Sequence, residues 1–311
     1  MKTSPVTPQD LAASVIAVPP LALDAEWQPL AAENGKILQH LRSGGVTSYL
    51  YGGNANFFAL PVSGFAAVVD LLADIAPADG WVIPSIGPDF GKALDQLHIL
   101  RDRSFPTAML LPMQAPLTPD GVATAVRRLC DAYGKPLVVY VKFEGFLTPT
   151  LLQGLLQDGV ICSIKYAIER KYPRQDPFLE ELIAKVGTER VVSGIGERPV
   201  IDHLGHFGLQ GFTSGSVCIA PRISMDFMRA VRGRDFTTAE KLWQDFVPVE
   251  DLRDYHSPIR VLHEAVRLAG IANTGPMMPM LSNITDPRVC EQIAAAAVAL
   301  LRANTEANAE A

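Results

Sequence analysis

Eight short runs rich in valine, isoleucine and leucine alternate with longer segments of helical period, and this alternation is the strongest constraint on the fold. The runs are Ser14–Val18, Thr47–Tyr51, Trp81–Ile86, Thr107–Leu111, Leu137–Val141, Val160–Lys165, Arg190–Ser193 and Gly211–Ser214. Most are apolar on both faces, as parallel strands are when helices cover one side and a packed barrel interior the other. Between them lie amphipathic stretches at Trp27–Leu41, Gly64–Ile75, Lys92–Arg101, Pro119–Ala132, Pro149–Gln157 and Pro177–Val186. Thr118 and Thr148 each precede a proline, the signature of a capped first turn, and Gly44-Gly45, Gly134 and Gly187 stop helices before the next strand. A repeat of about 25 to 35 residues, eight times over, predicts one closed (β/α)8 TIM barrel of class α/β.

After Ser216 only helical patterns remain, at about 222–232, 237–252, 257–269 and 286–304, interrupted by Pro276, Pro279 and Pro287. The expected organisation is therefore a barrel over 1–221 and a C-terminal helical extension over 222–311. At 311 residues the chain buries a large core without covalent staples. Its formal net charge of −6 leaves no basic surplus to neutralise phosphates, which argues against a nucleic-acid partner. No apolar run reaches the ~18 residues of a membrane span, and the N-terminus lacks a basic region followed by an apolar core. A soluble, cytoplasmic protein is expected. Cys130, Cys162, Cys218 and Cys290 lie far apart without a CxxC pair and read as reduced packing residues, Cys162 standing three residues from Lys165.

In such a barrel the reactive groups sit at the C-terminal ends of strands. Lys165 closes the run Val160–Lys165, where desolvation lowers an ammonium toward neutrality; a neutral amine attacks a ketone, and the iminium that forms is an electron sink. The plain alternative is a lysine that leaves the rim and reaches water. Tyr140 ends the previous strand, about 5 Å away on an adjacent strand, within reach as a proton shuttle or as a simple aromatic cap. Gly52-Gly53-Asn54 follows the second strand and can turn backbone N–H groups toward a carboxylate, although such a turn needs no ligand. Ser193-Gly194 and Ser214-Gly215-Ser216 form small polar rims, while Lys142 and Arg198 supply charge nearby. His203 and His206, three apart, have the spacing of a ligand pair, but no strand-end carboxylates accompany them and no metal is expected.

Taken together, Val138-Val139-Tyr140, Ser163-Ile164-Lys165, Gly194, the run Gly211 to Ser216 and the helical tail resemble the dihydrodipicolinate synthase/N-acetylneuraminate lyase family over most of the chain. The resemblance implies that Lys165 forms the imine and Tyr140 is the catalytic tyrosine. It also implies a pyruvate-like 2-keto acid, no cofactor or metal, and a homotetramer or dimer of barrels. Departures accompany it. Gly53 and Asn54 occupy the places of the paired hydroxyl residues that bind the keto-acid carboxylate and relay protons in the family. The segment Leu111–Pro116 lacks the tyrosine lent to a neighbouring subunit, and Val141–Gly145 lacks an arginine that Lys142 stands in for. The run Gly52 to Leu60 is closer to the 5-dehydro-4-deoxyglucarate dehydratase branch, with its GG start and FF-x-L continuation.

The expected function is a class I lyase, aldolase or dehydratase, on pyruvate or a 2-keto-3-deoxy sugar acid. The carboxylate is expected over Gly52–Asn54 and the far end of the substrate near Gln114, Lys142, Ser193, Gly194, Arg198 and Ser214. The alternatives are a dihydrodipicolinate synthase-type condensation, a non-catalytic keto-acid binding barrel, and a barrel of other chemistry in which Lys165 is structural.

Overall fold

The computed structural model describes residues 1–309 of the chain. Eight parallel strands follow one another in chain order round a closed barrel: β1 Ile16–Ala17, β2 Ser48–Tyr51, β3 Trp81–Ile86, β4 Met109–Leu110, β5 Leu137–Val141, β6 Ile161–Tyr166, β7 Val191–Ser193 and β8 Gly211–Ser214. Closure is made at β1, where Ile16 lies opposite Ser48 on one side and Thr213 on the other. The expected barrel is borne out, and β3, β5 and β8 begin and end where the apolar runs do. β1 and β4 have shorter ladders than their runs, because the flanking residues pair singly: Val18 N–H donates to Ser214 O at 2.8 Å, and Leu111 N–H to Ile86 O at 3.0 Å.

The helices are α1 Pro8–Ala13, α2 Ala31–Ser43, α3 Val62–Ile75, α4 Phe90–Leu100, α5 Pro119–Tyr133, α6 Pro149–Gln157, α7 Pro177–Val186, α8 Val200–Gly205, α9 Pro221–Arg232, α10 Phe236–Tyr255, α11 Pro258–Leu268 and α12 Pro287–Ala309. Thr118 and Thr148 cap α5 and α6, accepting from Gly121 N–H and Leu151 N–H at 3.2 Å. Gly134 ends α5 in the left-handed region at φ 72°. One expected start is overturned. The pattern from Trp27 reads as helix, yet α2 begins at Ala31, because Asp24 Oδ1 accepts from both Glu26 and Gln28 N–H and holds the chain in a turn with Trp27 at φ 58°. α1, unforeseen in the sequence, is fastened by reciprocal bonds between Thr7 and Asp10. It presses on β8 so closely that a Cβ at Gly211 would stand 2.4 Å from Leu11 O.

The alternation runs on through α9, which packs against α8 and α2 on either side of the closure. α10 and α12 then stack on α9, and α11 packs on α10 and α12, around a second apolar core that includes Ile223, Phe246, Val249, Val261, Ile293 and Leu300. Among the described residues no helix is long and apolar enough to cross a membrane.

One polar anchor ties the helical layer to the strands. Asp176, fully buried, caps α7 through Leu179 N–H at 3.1 Å, accepts from Arg170 Nη2 at 3.0 Å, and accepts the Tyr166 hydroxyl of β6. Asp176→Ala removes the cap, leaves the Tyr166 hydroxyl without an acceptor and leaves Arg170 Nη2 with Glu144 Oε1 alone. The expected loss is about 3–5 kcal/mol, read as a lower urea midpoint; a midpoint equal to that of the unsubstituted protein would show the anchor to be dispensable.

Candidate active site

On β6 the alternation beyond the register shift after Ile161 puts Ser163 and Lys165 on one side of the strand, and Lys165 comes last, at the mouth of the barrel. Tyr140 of β5 stands opposite it in register. The Lys165 Nζ lies over the Tyr140 ring, 4.1 Å from its centroid. The lysine stem fits because residue 194 is glycine: a Cβ there would meet Lys165 Cγ at 2.9 Å and Ala167 Cβ at 2.8 Å. Burial pulls Lys165 down to about 7, and the positive charges of Lys142 and Arg253 act in the same direction. Near neutral pH a large fraction is therefore free amine, a nucleophile on call. Burial also raises the Tyr140 phenol, so it stays protonated and able to donate.

Both groups open into a cavity of about 650 Å³. Besides Lys165, its lining carries five cationic side chains (Lys142, Arg170, Lys171, Arg198 and Arg253), of which Lys142, Arg170, Arg198 and Arg253 are paired with carboxylates. Gly53 and Asn54 line the same cavity from the loop after β2, with Asn54 Nδ2 donating to Val18 O at 2.9 Å.

Of the residues expected from sequence, Lys165, Tyr140, Gly53, Asn54, Lys142, Gly194 and Arg198 meet around this cavity, whereas Gly52, Gln114, Ser193 and Ser214 are not part of its wall. Gly52 sits beside Ser85 in the barrel interior, where a Cβ would stand 2.8 Å from Ser85 Oγ. Gln114 is exposed. Ser193 is hydrogen-bonded to His203 Nδ1 of α8 at 2.8 Å, and Ser214 donates to Glu197 Oε1 in the loop between β7 and α8, so both hydroxyls are taken up by protein partners. Arg198 is held by Asp251 and Asp254 of α10, each at 2.6 Å, which makes it a strut at the rim. Cys162 is turned away from the site: its thiol lies against Thr107 Oγ1 at 3.5 Å, and burial raises it to about 11. Burial lowers His203 to about 4, which leaves it neutral beside Ser193.

Sequence reasoning passed over the contribution of α10. Arg253 and Glu250 reach the cavity from this helix, joined by a 2.6 Å ion pair, both nearly buried. Glu250 Oε1 also accepts the Ser216 hydroxyl. Beneath it lies Glu197, fully buried, bonded by Ser214 and Ser224 and pushed up to about 8, first by burial and then by the charge of Glu250. At neutral pH Glu197 is mostly protonated, so the cluster holds one arginine against one carboxylate charge.

The chain is 23% identical over 258 residues to a probable 5-dehydro-4-deoxyglucarate dehydratase of Pseudomonas savastanoi pv. phaseolicola, covering 78% of this chain and 80% of the relative. In fold it is similar to a sialic acid aldolase of Ruminococcus gnavus solved as a catalytic-lysine mutant, with a TM-score of 0.82 at 13% identity over 96% of this chain and 98% of the other. It is also similar to a prophage protein of the dihydrodipicolinic acid synthase family from E. coli K12, solved with pyruvate, with a TM-score of 0.78 at 18% identity over 94% and 98% of the two chains. No family model matches the chain. The resemblance read from the sequence is thus borne out, in sequence by the dehydratase and in fold by the synthase and aldolase barrels.

Proposed function

We infer that this chain, a divergent member of the dihydrodipicolinate synthase/N-acetylneuraminate lyase family, is a class I lyase that joins Lys165 to a 2-keto acid as a Schiff base. The observation that carries the reading is a single one: a buried lysine held near 7 over a tyrosine ring, opening into a cavity at the mouth of the barrel. The neutral amine adds to the keto carbon, water leaves, and the C=N⁺ iminium remains. The substrate class is pyruvate or a 2-keto-3-deoxy sugar acid. In the latter, loss of a C3 proton gives an enamine whose electron pair expels the C4 hydroxyl, which takes up a proton and leaves as water. Alternatively, loss of the C4 hydroxyl proton breaks the C3–C4 bond, and the pair flows into the iminium. Tyr140 moves protons at the carbinolamine oxygen. The dehydratase relative favours the elimination. The setting that goes with this reading is cytoplasmic, as a homodimer or homotetramer of barrels.

A second reading has one observation in its favour. Gly53 and Asn54 bring no hydroxyl to the place where the family relays protons, which suits a barrel that binds keto acids without turning them over. Incubation with pyruvate, reduction with borohydride and peptide mass spectrometry test the first step. A stable adduct on Lys165 supports the imine, and turnover of 2-keto-3-deoxy acids then separates lyase from binder; no adduct with any of a panel of keto acids removes both imine readings.

The charge environment gives a further expectation. Only the free amine attacks, so the trapping rate should climb as pH rises through about 7 and level off above it. Lys142→Met removes a positive neighbour that holds the ammonium down, so the midpoint should move to higher pH. A pH profile with an unmoved midpoint would assign the whole effect to burial and the remaining charges.

A further inference from the structure

The site needs a partner for the carboxylate of a 2-keto acid, and the loop after β2 has lost the hydroxyl pair that would provide one. Three elements converge where that carboxylate would lie. Asn54 projects from the β2 loop, Gly215 follows β8, and Arg253 comes in from α10; all three line the cavity. Arg253 is nearly buried, with Nη1 donating to Glu250 Oε1 at 2.6 Å and Nε to Pro258 O at 3.3 Å. Its third nitrogen, Nη2, has no hydrogen-bond partner among the described residues. A Cβ on Gly215 would stand 2.8 Å from Asn54 Nδ2 and 2.9 Å from Arg253 Nη2. The two donors therefore lie less than about 6 Å apart, packed against the Gly215 backbone together with Leu262 Cδ2, and only a residue without a Cβ lets them come so close. A carboxylate in the cavity that both side chains line can take one N–H on each oxygen, and the arginine makes one of those bonds charge-assisted.

We propose that Arg253 and Asn54 form the carboxylate seat of this site, holding the 2-keto acid so that its carbonyl carbon meets Lys165 from the opposite side of the barrel mouth. The seat rests on the Schiff-base reading above and deepens it. β1, which lies beneath the seat, is neighbour to β2 and β8, whereas Lys165 stands on β6, so amine and anion site flank the cavity from two sides. The Coulombic effect of Arg253 on Lys165 agrees with that spacing. An anchor recruited from the tail explains how the loop after β2 can carry Gly53 and Asn54 and still serve an acidic substrate.

The test compares two probes that differ in charge alone at the relevant end, pyruvate and its uncharged amide, pyruvamide. Initial rates of borohydride trapping on Lys165 are followed against concentration for the full-length protein, Arg253→Met and Arg253→Lys. The unsubstituted protein should prefer pyruvate. Removing the Arg253 cation also lets the Lys165 ammonium rise, so rates are compared on the high-pH plateau of each variant, where Lys165 is free amine. There Arg253→Met should weaken pyruvate by roughly ten- to hundredfold while leaving pyruvamide nearly unchanged, and Arg253→Lys should recover part of the preference. A purely structural role would weaken both probes alike, and that result overturns the seat, as does a pyruvate preference left intact. If Arg253→Met does not fold, Gly215→Ala decides: its methyl presses on Asn54 Nδ2 and Arg253 Nη2 and displaces both donors, so it should lower pyruvate trapping relative to pyruvamide, and unaltered selectivity refutes the proposal. An adduct with unchanged selectivity sinks the seat alone, whereas no adduct in the unsubstituted protein sinks the Schiff-base reading and the keto-acid seat with it.

Discussion

Lys165→Met should abolish the borohydride-stable adduct and lower turnover of any accepted 2-keto acid by a factor on the order of 10⁵ or more, the scale on which loss of a covalent nucleophile acts. The substitution is nearly isosteric and removes only the amine. Because Lys165 is 4% exposed and lies under the influence of two other cations, its ammonium is an unfavourable guest in the folded protein. The sign of the stability change follows. The folded-state value near 7 lies below that of a free lysine, so under acidic conditions the protein must hold a charged amine that the unfolded chain would solvate better. Methionine lifts that penalty, and Lys165→Met should be at least as stable as the unsubstituted protein, with the larger gain below pH 7. The combination of a dead enzyme and an undiminished urea midpoint separates chemistry from folding. Turnover within tenfold of the unsubstituted protein would instead make Lys165 structural and the barrel one of other chemistry.

How much of this could be read from the chain depends on what each residue's neighbours reveal. The ring of strands was legible because runs such as Trp81–Ile86 and Leu137–Val141 are apolar on both faces, the pattern that covered parallel strands require. The same property hides which way a polar residue at a strand end faces. Ser193 and Lys165 both stand near strand ends, yet Ser193 turns to His203 in the helical layer and Lys165 into the mouth. With neither face polar, nothing in the local pattern distinguishes them.

Arg253 and Glu250 were hidden for a different reason: charges on a helix in the tail read as its solvated face. A signal was nonetheless present. Ala239, Phe246 and Val249 mark the buried stripe of α10, and Glu250 and Arg253 continue it at helical spacing, so two opposite charges lie on the side that should be apolar. Buried charges of that kind are paired or functional. The start of α2 failed on local chemistry, since an Asp24 turn overrides the helical period that runs through Trp27.

Tyr140→Phe should be the second most damaging change, with turnover reduced by roughly 10²- to 10⁴-fold, the usual range for losing a positioned acid or base. The ring itself remains beneath the amine at 4.1 Å, so packing, the burial of Lys165 and its value near 7 are preserved. Only the O–H is lost. Burial keeps that phenol protonated at neutral pH, so its work is to hand a proton to the carbinolamine oxygen as water leaves and to retrieve it during hydrolysis. The adduct with pyruvate should therefore still form on Lys165 in this variant, but more slowly, and the midpoint of the trapping profile should stay near 7. Those two observations separate loss of a shuttle from loss of the nucleophile's environment. Turnover within about tenfold of the unsubstituted protein would reassign the proton transfer. The natural successor is Glu250, which lines the same cavity with Oε2 free of hydrogen bonds among the described residues, and Glu250→Gln would then carry the penalty that Tyr140→Phe had failed to show.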